Sequence, residues 1–584
     1  MGTQMKVVVV GGVAGGMSFA ARARRLAEDA EIVVLERDPY VSYANCGLPY
    51  HLGGEISDRD ALLLHTPQSL AESLALDVRT GHEVLAIDVR ERATGRDYRE
   101  AYDVLVLSTG AAPVIPPIPG AGLPAVRVLR TVPDVDVLRD LVGGGARRAV
   151  IVGAGFIGLE SVEALRHRGL AVTLVELADQ VMPALDPEMA RSIELELLRA
   201  GVEVRLGTSV TALREAGTGT VAAELSDGSQ VLADLVLLAA GVRPETSLAA
   251  AAGLALGARG ALLVDEHLRT SVPSIYGVGD AIEVTDAVSG SPALVPLAGP
   301  ASRQGRAAAD HLFGRGGRRS PVLGTAIVRV FGTVAATAGP GEKALRAAAI
   351  PHHAVHLHPN NHAGYYPGAR PLHLKLLFAP DGRVLGAQAT GGDGVDKRID
   401  VIATAIRAGL TVDDLADLEL AYSPPFGSAK DPVNLAGMVA SNLLAGTLAL
   451  WRGDDLLHPD PRAVLLDVRS AAEFGSGHLP GALNIPHTEL RQRLGEIPRD
   501  RPLLVYCASG FRSYLALRLL RQRGWPDVRS LSGGLSTLQL ELPRLALDQG
   551  KPVAELTPAD PGACSAHAAL VPATCAAGSA RTSS

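Results

Sequence analysis

Two glycine-rich turns, each set between an apolar strand and a helix, do most to limit the folds open to this chain. Lys6-Val7-Val8-Val9-Val10 runs into Gly11-Gly12-Val13-Ala14-Gly15-Gly16, a helix is expected from Met17 to Leu26, and the strand Glu31-Ile32-Val33-Val34-Leu35-Glu36 ends on an acid. The pattern returns in Ala149-Val150-Ile151-Val152, Gly153-Ala154-Gly155-Phe156-Ile157-Gly158 and Val172-Thr173-Leu174-Val175-Glu176. Glycines so spaced allow a tight turn and close backbone approach: amides at the helix start can receive a pyrophosphate while the acid accepts from a ribose hydroxyl. The second copy is a complete G-x-G-x-x-G; in the first, Val13 holds the place of the middle glycine. Two such units imply two dinucleotides. The runs Tyr102 to Gly110 and Leu235 to Pro244 are buried strands closing on small residues, and Ile275-Tyr276-Gly277-Val278-Gly279-Asp280 is a strand ending in an acid.

A lone thiol follows the first unit, in Ser42-Tyr43-Ala44-Asn45-Cys46-Gly47-Leu48-Pro49-Tyr50. The next cysteine is Cys507, so Cys46 has no local partner for a disulfide. Its covalent intermediate would be a mixed disulfide, persulfide or sulfenic acid formed with an outside molecule. The 584 residues suggest three to five domains, and a net charge of −7 gives no reason to expect nucleic acid. Four cysteines argue for a reducing compartment, and Met1 to Lys6 leads straight into a strand with no room for a signal peptide, so the cytoplasm is expected. Pro432 to Trp451 lacks charge and approaches membrane-spanning length, but Asn434, Ser441, Asn442 and its small residues favour a helix buried in protein or at a subunit interface.

Over about residues 5 to 445 these features resemble the two-dinucleotide flavoprotein disulfide reductases. The resemblance implies FAD in the first fold, NAD(P)H in the second, and a homodimer. Mapped by motif, Gly11, Gly12, Gly16, Glu36, Thr109, Gly110 and Asp280 become FAD contacts, with Val84 and Arg130 as further candidates. Gly153, Gly155, Gly158 and Glu176 become the NAD(P)H set. Glu176 suits a free ribose 2′-hydroxyl, and Leu177, Ala178 and Asp179 offer no cation for a 2′-phosphate, which favours NADH over NADPH. The single-cysteine motif looks like the coenzyme A-disulfide reductase and persulfide reductase branch, whose relatives include NADH oxidases and peroxidases. That implies coenzyme A as substrate or bound thiol. Ser18, Arg22 and Arg25 share one helix face that could clamp its phosphates, and Ser42, Asn45 and Lys430 join the set. By the same resemblance Tyr365, in Asn361 to Gly368, and Tyr422, in Ala421 to Asp431, enter the partner subunit's site, where a phenol can donate to a leaving thiolate. His352, His353, His356, His358 and His362 alternate with apolar residues as a surface or interface strand would; no carboxylate or cysteine nearby completes a metal set.

The C-terminal part resembles a rhodanese domain: Asp467 and Arg469 end a strand, Gly477-His478-Leu479-Pro480-Gly481-Ala482 is a turn, and Cys507-Ala508-Ser509-Gly510-Phe511-Arg512-Ser513 leads from strand to helix. A loop of amides at a helix start forms an anion nest suited to a thiolate or persulfide on Cys507. The spacing C-x4-R, ending on Arg512, favours sulfane sulfur over the phosphate of related C-x5-R loops. The expected fold is α/β, with two Rossmann-like dinucleotide-binding domains, an α+β dimerisation domain and a C-terminal α/β rhodanese domain. Its expected divisions are FAD-binding 1–118 and 244–320, NAD(P)H-binding 119–243, dimerisation 321–445, linker 446–458, rhodanese 459–548, and a disordered tail 549–584 holding Cys564 and Cys575. The expected activity is a FAD-dependent NAD(P)H reductase of coenzyme A disulfide, coenzyme A persulfide or polysulfide through Cys46, with sulfane sulfur carried on Cys507. An oxidase or peroxidase using a Cys46 sulfenic acid, and a redox or sulfide sensor, stay open at this point.

Overall fold

The computed structural model describes residues 5–89, 93–94, 98–217 and 219–549, and it divides into two compact units. Beyond Gln549 the expected tail, with Cys564 and Cys575, lies outside the described residues. One unit takes in residues up to 186, 193–350 and 385–387; the other takes in 187–192, 351–384 and residues from 388 onward.

In the first unit the apolar runs become parallel strands, as sheets covered on both faces require. One sheet has the order Ile275–Gly277, Val104–Leu107, Lys6–Val10, Glu31–Glu36, Asp77–Thr80, every neighbouring pair parallel. The other repeats it with Val126–Arg127, Leu235–Leu238, Arg148–Val152, Ala171–Val175, Glu203–Arg205. In each, the strand that precedes the glycine turn lies at the centre and delivers that turn to the carboxyl edge, where ligands bind in open α/β sheets. Val13 does not spoil the first turn, because it caps the helix Ala14–Arg24 at φ −111°, a conformation open to any residue. That helix packs against Ala298–Leu312 so closely that a Cβ on Gly305 would fall 2.2 Å from the Gly15 carbonyl oxygen. The strands Ala111–Pro113 and Val242–Pro244 pair antiparallel and mark both crossings between the folds. A three-stranded antiparallel sheet, Val210–Glu215, Val221–Leu225 and Gln230–Ala233, completes the second fold.

The other unit contains a parallel sheet ordered Leu450–Trp451, Val528–Leu531, Leu503–Tyr506, Val464–Asp467, Leu483–Asn484. The linker expected at 446–458 is therefore corrected: Leu448 and Trp451 are core residues, and Trp451 donates its indole N–H to the Val505 carbonyl at 3.1 Å. Burying an aromatic of ~200 Å² is worth about 5 kcal/mol, a strong pull on a segment that turn residues alone would leave free. The charge-free stretch is a helix, Pro432–Leu444, followed by that edge strand, and its Val439 and Leu443 pack on the same core. Among the described residues no helix is long and apolar enough to cross a membrane. The histidine run forms the strand His353–Leu357, paired with His373–Phe378. Of the two settings expected for it, the open surface is corrected: only His353 of that strand is exposed. Buried His356 sits 2.9 Å from Ser532 Oγ and 3.1 Å from Glu188 Oε1, and His358 sits 2.8 Å from Thr537 Oγ1. Polar partners at both ring nitrogens are what allow His356 to be buried there.

Candidate functional site

The path of the chain from Glu36 to Cys46 is fixed by the first glycine turn. Ser42 adopts a left-handed conformation, φ +50°, and donates its backbone N–H to the Gly12 carbonyl at 2.8 Å. A non-glycine residue held there stores strain of the order of 1–3 kcal/mol, the kind found at functional sites. The short turn Asn45–Gly47 then leads into the helix Leu48–Gly53, with the Cys46 thiol 3.7 Å from Asn45 Oδ1. Cys46 is exposed at its surface, yet the protein packed behind it removes enough water to push the thiol up. The Glu160 and Asp280 carboxylates add to that push, and the Arg130 guanidinium opposes it. Arg130 is held by donating Nε–H to the Ala111 carbonyl and its backbone N–H to Asp134. It also offsets the effect of burial on Asp280, whose carboxyl is raised, and on Tyr43, whose phenol is pushed up to about 12. Residues far apart in sequence thus act on one thiol.

The two glycine turns have matching cradles. A Cβ on Gly11 would lie 2.2 Å from the Ser108 carbonyl oxygen, and one on Gly153 would lie 2.3 Å from that of Ala239. One on Gly16 or Gly158 would lie 2.0 Å from the carbonyl oxygen of Gly11 or Gly153 respectively. Gly155 differs, since a Cβ there would meet nothing within 4 Å and its absence leaves open space at the helix start. Glu36 accepts from the N–H groups of Gly12 at 2.7 Å and Asp38 at 3.0 Å; Glu176 accepts from those of Ala154 at 2.6 Å and Ala178 at 2.9 Å. A carboxylate has about four acceptor positions, so each keeps capacity for a ribose hydroxyl. Thr109 donates Oγ–H to the Glu245 carbonyl at 2.5 Å, Gly110 turns at φ +72° beside Arg130, and Val84 is half-buried against the core. These cradles fit a dinucleotide in each fold.

The proposed arginine clamp is only partly free. Arg22 is bound to Asp310 through Nε at 2.7 Å and Nη2 at 2.6 Å, because the close contact at Gly305 brings the two helices together. Ser18, on that helix, is half-buried, and Arg25, which caps its C-terminal end, is exposed.

In the other unit, Tyr365 and Tyr422 stand with their hydroxyls 3.4 Å apart, both exposed, and their contact raises the Tyr365 phenol. Buried Arg398 pins the two loops by donating to the Asn361 carbonyl at 2.7 Å and to Asp431 Oδ2 at 2.9 Å. Lys430, next to that ion pair, is exposed.

Cys507 is 1% exposed, at the end of its strand and before the helix Phe511–Gln522. Gly510, at φ +95°, donates its N–H to the sulfur at 3.2 Å, and Ser513 Oγ lies 3.4 Å away, itself receiving from Ser530 Oγ at 2.8 Å. Arg512 makes a two-pronged ion pair with Glu473 at 2.7 and 2.6 Å, which lowers the Glu473 carboxyl to about 2. Arg469 is bound to Asp467 at 2.7 Å and to the Gly477 carbonyl at 2.6 Å. His478 stacks on Phe474 with ring centres 3.6 Å apart.

Several participants escape a motif reading. Tyr50, one helical turn beyond Cys46, donates to Glu160 at 3.1 Å, and burial raises the Glu160 carboxyl. Its position two residues after Gly158 carries no spacing rule, and only folding sets it opposite Cys46. Arg398 and Ser530 likewise take on their roles through distant contacts; a lone arginine in an amphipathic helix reads as a solvated face.

A family model described as pyridine nucleotide-disulphide oxidoreductase matches residues 5–305, its dimerisation domain matches 325–432, and a rhodanese-like domain matches 454–541. Among curated proteins the chain is 34% identical over 440 residues to the NADH oxidase of Methanocaldococcus jannaschii, covering 74% of this chain and 98% of that one. It is 35% identical over 448 residues to the coenzyme A disulfide reductase of Staphylococcus haemolyticus, covering 75% and 100%. Among solved structures, reduced Bacillus anthracis CoADR-RHD has 46% identity and a TM-score of 0.90, covering 93% of this chain and 99% of that one. The NAD-dependent persulfide reductase from A. fulgidus has 38% identity and a TM-score of 0.86, covering 91% and 100%.

Proposed function

Since the chain belongs to the pyridine nucleotide-disulphide oxidoreductases, we propose that it is a FAD-dependent NAD(P)H reductase of coenzyme A disulfide or coenzyme A persulfide. Bound in the first fold, a flavin would supply the two-electron relay between a nicotinamide and sulfur. The chain's own residues do the rest. Gly11, Gly12 and Gly16 give room to a pyrophosphate, Glu36 takes a ribose hydroxyl, and Asp280, Thr109, Gly110, Arg130 and Val84 border the remainder of the cofactor. Gly153, Gly155, Gly158 and Glu176 do the same for NADH. Leu177 beside Glu176 is exposed and uncharged, and the nearby Arg205 is paired with Glu203, which favours NADH over a cofactor carrying a 2′-phosphate.

Cys46 thiolate attacks a disulfide sulfur, forming the mixed disulfide Cys46–S–S–R, and the electron pair of the broken bond leaves on the second thiolate or, from a persulfide, on hydrosulfide. Tyr365 and Tyr422 of a second copy donate the proton that the leaving sulfur needs, with Arg398 holding their loops in place. Ser18, Arg25, Ser42, Asn45 and Lys430 bind the coenzyme A moiety. In the C-terminal domain Cys507 carries sulfane sulfur, and Arg512 and Ser513 shape its loop. The protein acts as a cytoplasmic homodimer on small thiols, persulfides or polysulfide. The observation that carries this reading is an exposed thiol tied by Ser42 to a glycine cradle, without a second cysteine beside it among the described residues.

The relative called NADH oxidase favours a second reading, in which Cys46 cycles through a sulfenic acid. Steady-state assays of the holoenzyme separate them. NADH oxidation should be fastest with coenzyme A disulfide or persulfide and slow in oxygenated buffer alone, and NADPH should give a lower kcat/KM than NADH. Oxygen consumption outpacing sulfur-substrate turnover would replace the reductase with the oxidase.

A further inference from the structure

The charges around Cys507 select the kind of molecule that can deliver sulfur to it. The four residues after the thiol, Ala508, Ser509, Gly510 and Phe511, carry no charge. The two guanidinium groups around the loop are both committed. Arg512 is held by both oxygens of Glu473, and Arg469 is held by Asp467 and the Gly477 carbonyl. His478 is stacked on Phe474, with Nδ1 2.9 Å from the Phe474 carbonyl oxygen. Two cations therefore face two carboxylates, and the loop has little positive charge beyond its amides and helix start. The Gly510 N–H, 3.2 Å from the sulfur, can support one anionic sulfur. Both arginines that flank the loop are already paired, so neither is free for a second, divalent group. Beside the thiol the surface is apolar: Phe511 is 68% and Leu515 42% exposed, four residues apart on one helix face.

Resting on the reading of Cys507 as a sulfur carrier, we propose that this site takes its sulfur from an organic persulfide whose R group is uncharged and apolar, and discriminates against thiosulfate. The Cys507 thiolate attacks the outer sulfur of R–S–SH; the S–S bond of the donor breaks, its electron pair leaves on R–S⁻, and Cys507–S–SH forms. The same attack on thiosulfate must bring a dianion next to Glu473 and Asp467 and release sulfite, also a dianion. Glu473 and Asp467 repel it about as strongly as the paired arginines attract it. An apolar R group, by contrast, covers Phe511 and Leu515. Discrimination thus arises from cations already paired and from an apolar rim, without any clash of shape.

The test uses the full-length holoenzyme, following sulfur loading on the Cys507 peptide by mass spectrometry and initial rates with two donors: thiosulfate and the persulfide of 1-butanethiol. Thiosulfate finds no net positive charge at the loop, while an apolar R group gains from covering Phe511 and Leu515, so the persulfide should load Cys507 with a kcat/KM about 100-fold higher. Phe511→Arg places an unpaired cation at an exposed position and should raise the thiosulfate rate about tenfold, by roughly 1.4 kcal/mol, narrowing the ratio. Glu473→Gln frees Arg512 and should change the ratio in the same direction. Equal loading from both donors by the unaltered protein, or no gain for thiosulfate in either variant, overturns the proposal. Cys507 left unloaded by both donors would overturn the carrier reading, and the proposal with it.

Discussion

Cys46 and Cys507 are the two thiols among the described residues, and they are handled in opposite ways. Cys46 is exposed, with its charge balance set by Glu160 and Asp280 against Arg130, three residues from three distant stretches. Cys507 is buried in a loop whose sulfur contacts come from its own neighbours, Gly510 and Ser513 within six residues, while Ser530 backs Ser513 and the Leu535 and Ser536 N–H groups donate to the Cys507 and Ala508 carbonyls. A thiol that must meet a bulky substrate and a cofactor is left open and tuned at long range. One that holds a single sulfur atom can be enclosed by local backbone. The difference teaches that a nest can be written into a motif, whereas a crevice has to be assembled.

The largest effect expected is a separation of activities. Cys46→Ser should retain FAD, seen by its absorbance, while NADH-dependent reduction of coenzyme A disulfide falls below detection. Cys507→Ala should lose sulfur loading yet keep that reduction. Loss of both activities in a folded Cys507→Ala protein would mean that sulfur passes obligatorily through the buried thiol, and the contrast between the two sites would collapse. Because helix Pro432–Leu444 packs on the core beneath Cys507, the thermal midpoint of that variant belongs in the same experiment.

A smaller effect comes from the tyrosines. Removing general acid help typically costs 10²–10⁴-fold, so Tyr365→Phe with Tyr422→Phe should lower kcat by about that factor while flavin reduction by NADH stays fast in stopped flow. Mixing this protein with Cys46→Ser protein tests whether the site is shared between subunits. Heterodimers carry one site with thiol and both phenols intact, and activity should reappear. No recovery, with heterodimers demonstrated by mass, would place the phenols elsewhere.

The smallest effect sharpens the electrostatic half of the comparison. Burial and the Glu160 and Asp280 charges raise the Cys46 thiol, so its thiolate fraction is low at neutral pH and grows as pH rises through the raised value. Glu160→Gln removes one of those charges and should move the pH profile of Cys46 alkylation in the cofactor-free protein downward, speeding alkylation at pH 7 by about threefold. Arg130→Met should move it upward. An unchanged profile in both would leave burial as the whole cause.

Both dinucleotide folds, the sulfur-handling loop and the α/β class were legible in the sequence because each depends on local rules. Alternating a valine-rich strand, a glycine turn and a helix dictates a parallel sheet, and a missing Cβ at Gly11, Gly16, Gly153 or Gly158 is a constraint visible in one letter. Trp451 was misplaced into a linker because turn residues around it are local, while its burial against Leu479, Tyr506 and Leu538 is not. Alternation alone leaves His356 at a surface or an interface, and its burial is settled by Ser532 and Glu188, 176 and 168 residues away in sequence. Arg22 was available to a ligand by helical spacing alone, until the approach of the helix Ala298–Leu312 gave it Asp310.

By itself, then, the sequence determined what is encoded in steric allowance and periodicity: two cradles, two thiols, and the acids that end their strands. Only the tertiary structure decided which charges remain free. Glu160 acts on Cys46, Arg398 locks the tyrosine loops, and Glu473 cancels Arg512, each through a contact formed after the chain has folded. Steric rules act over one or two residues of chain, while Coulomb energy depends on separation in space and on the water displaced, neither of which is written in the order of residues.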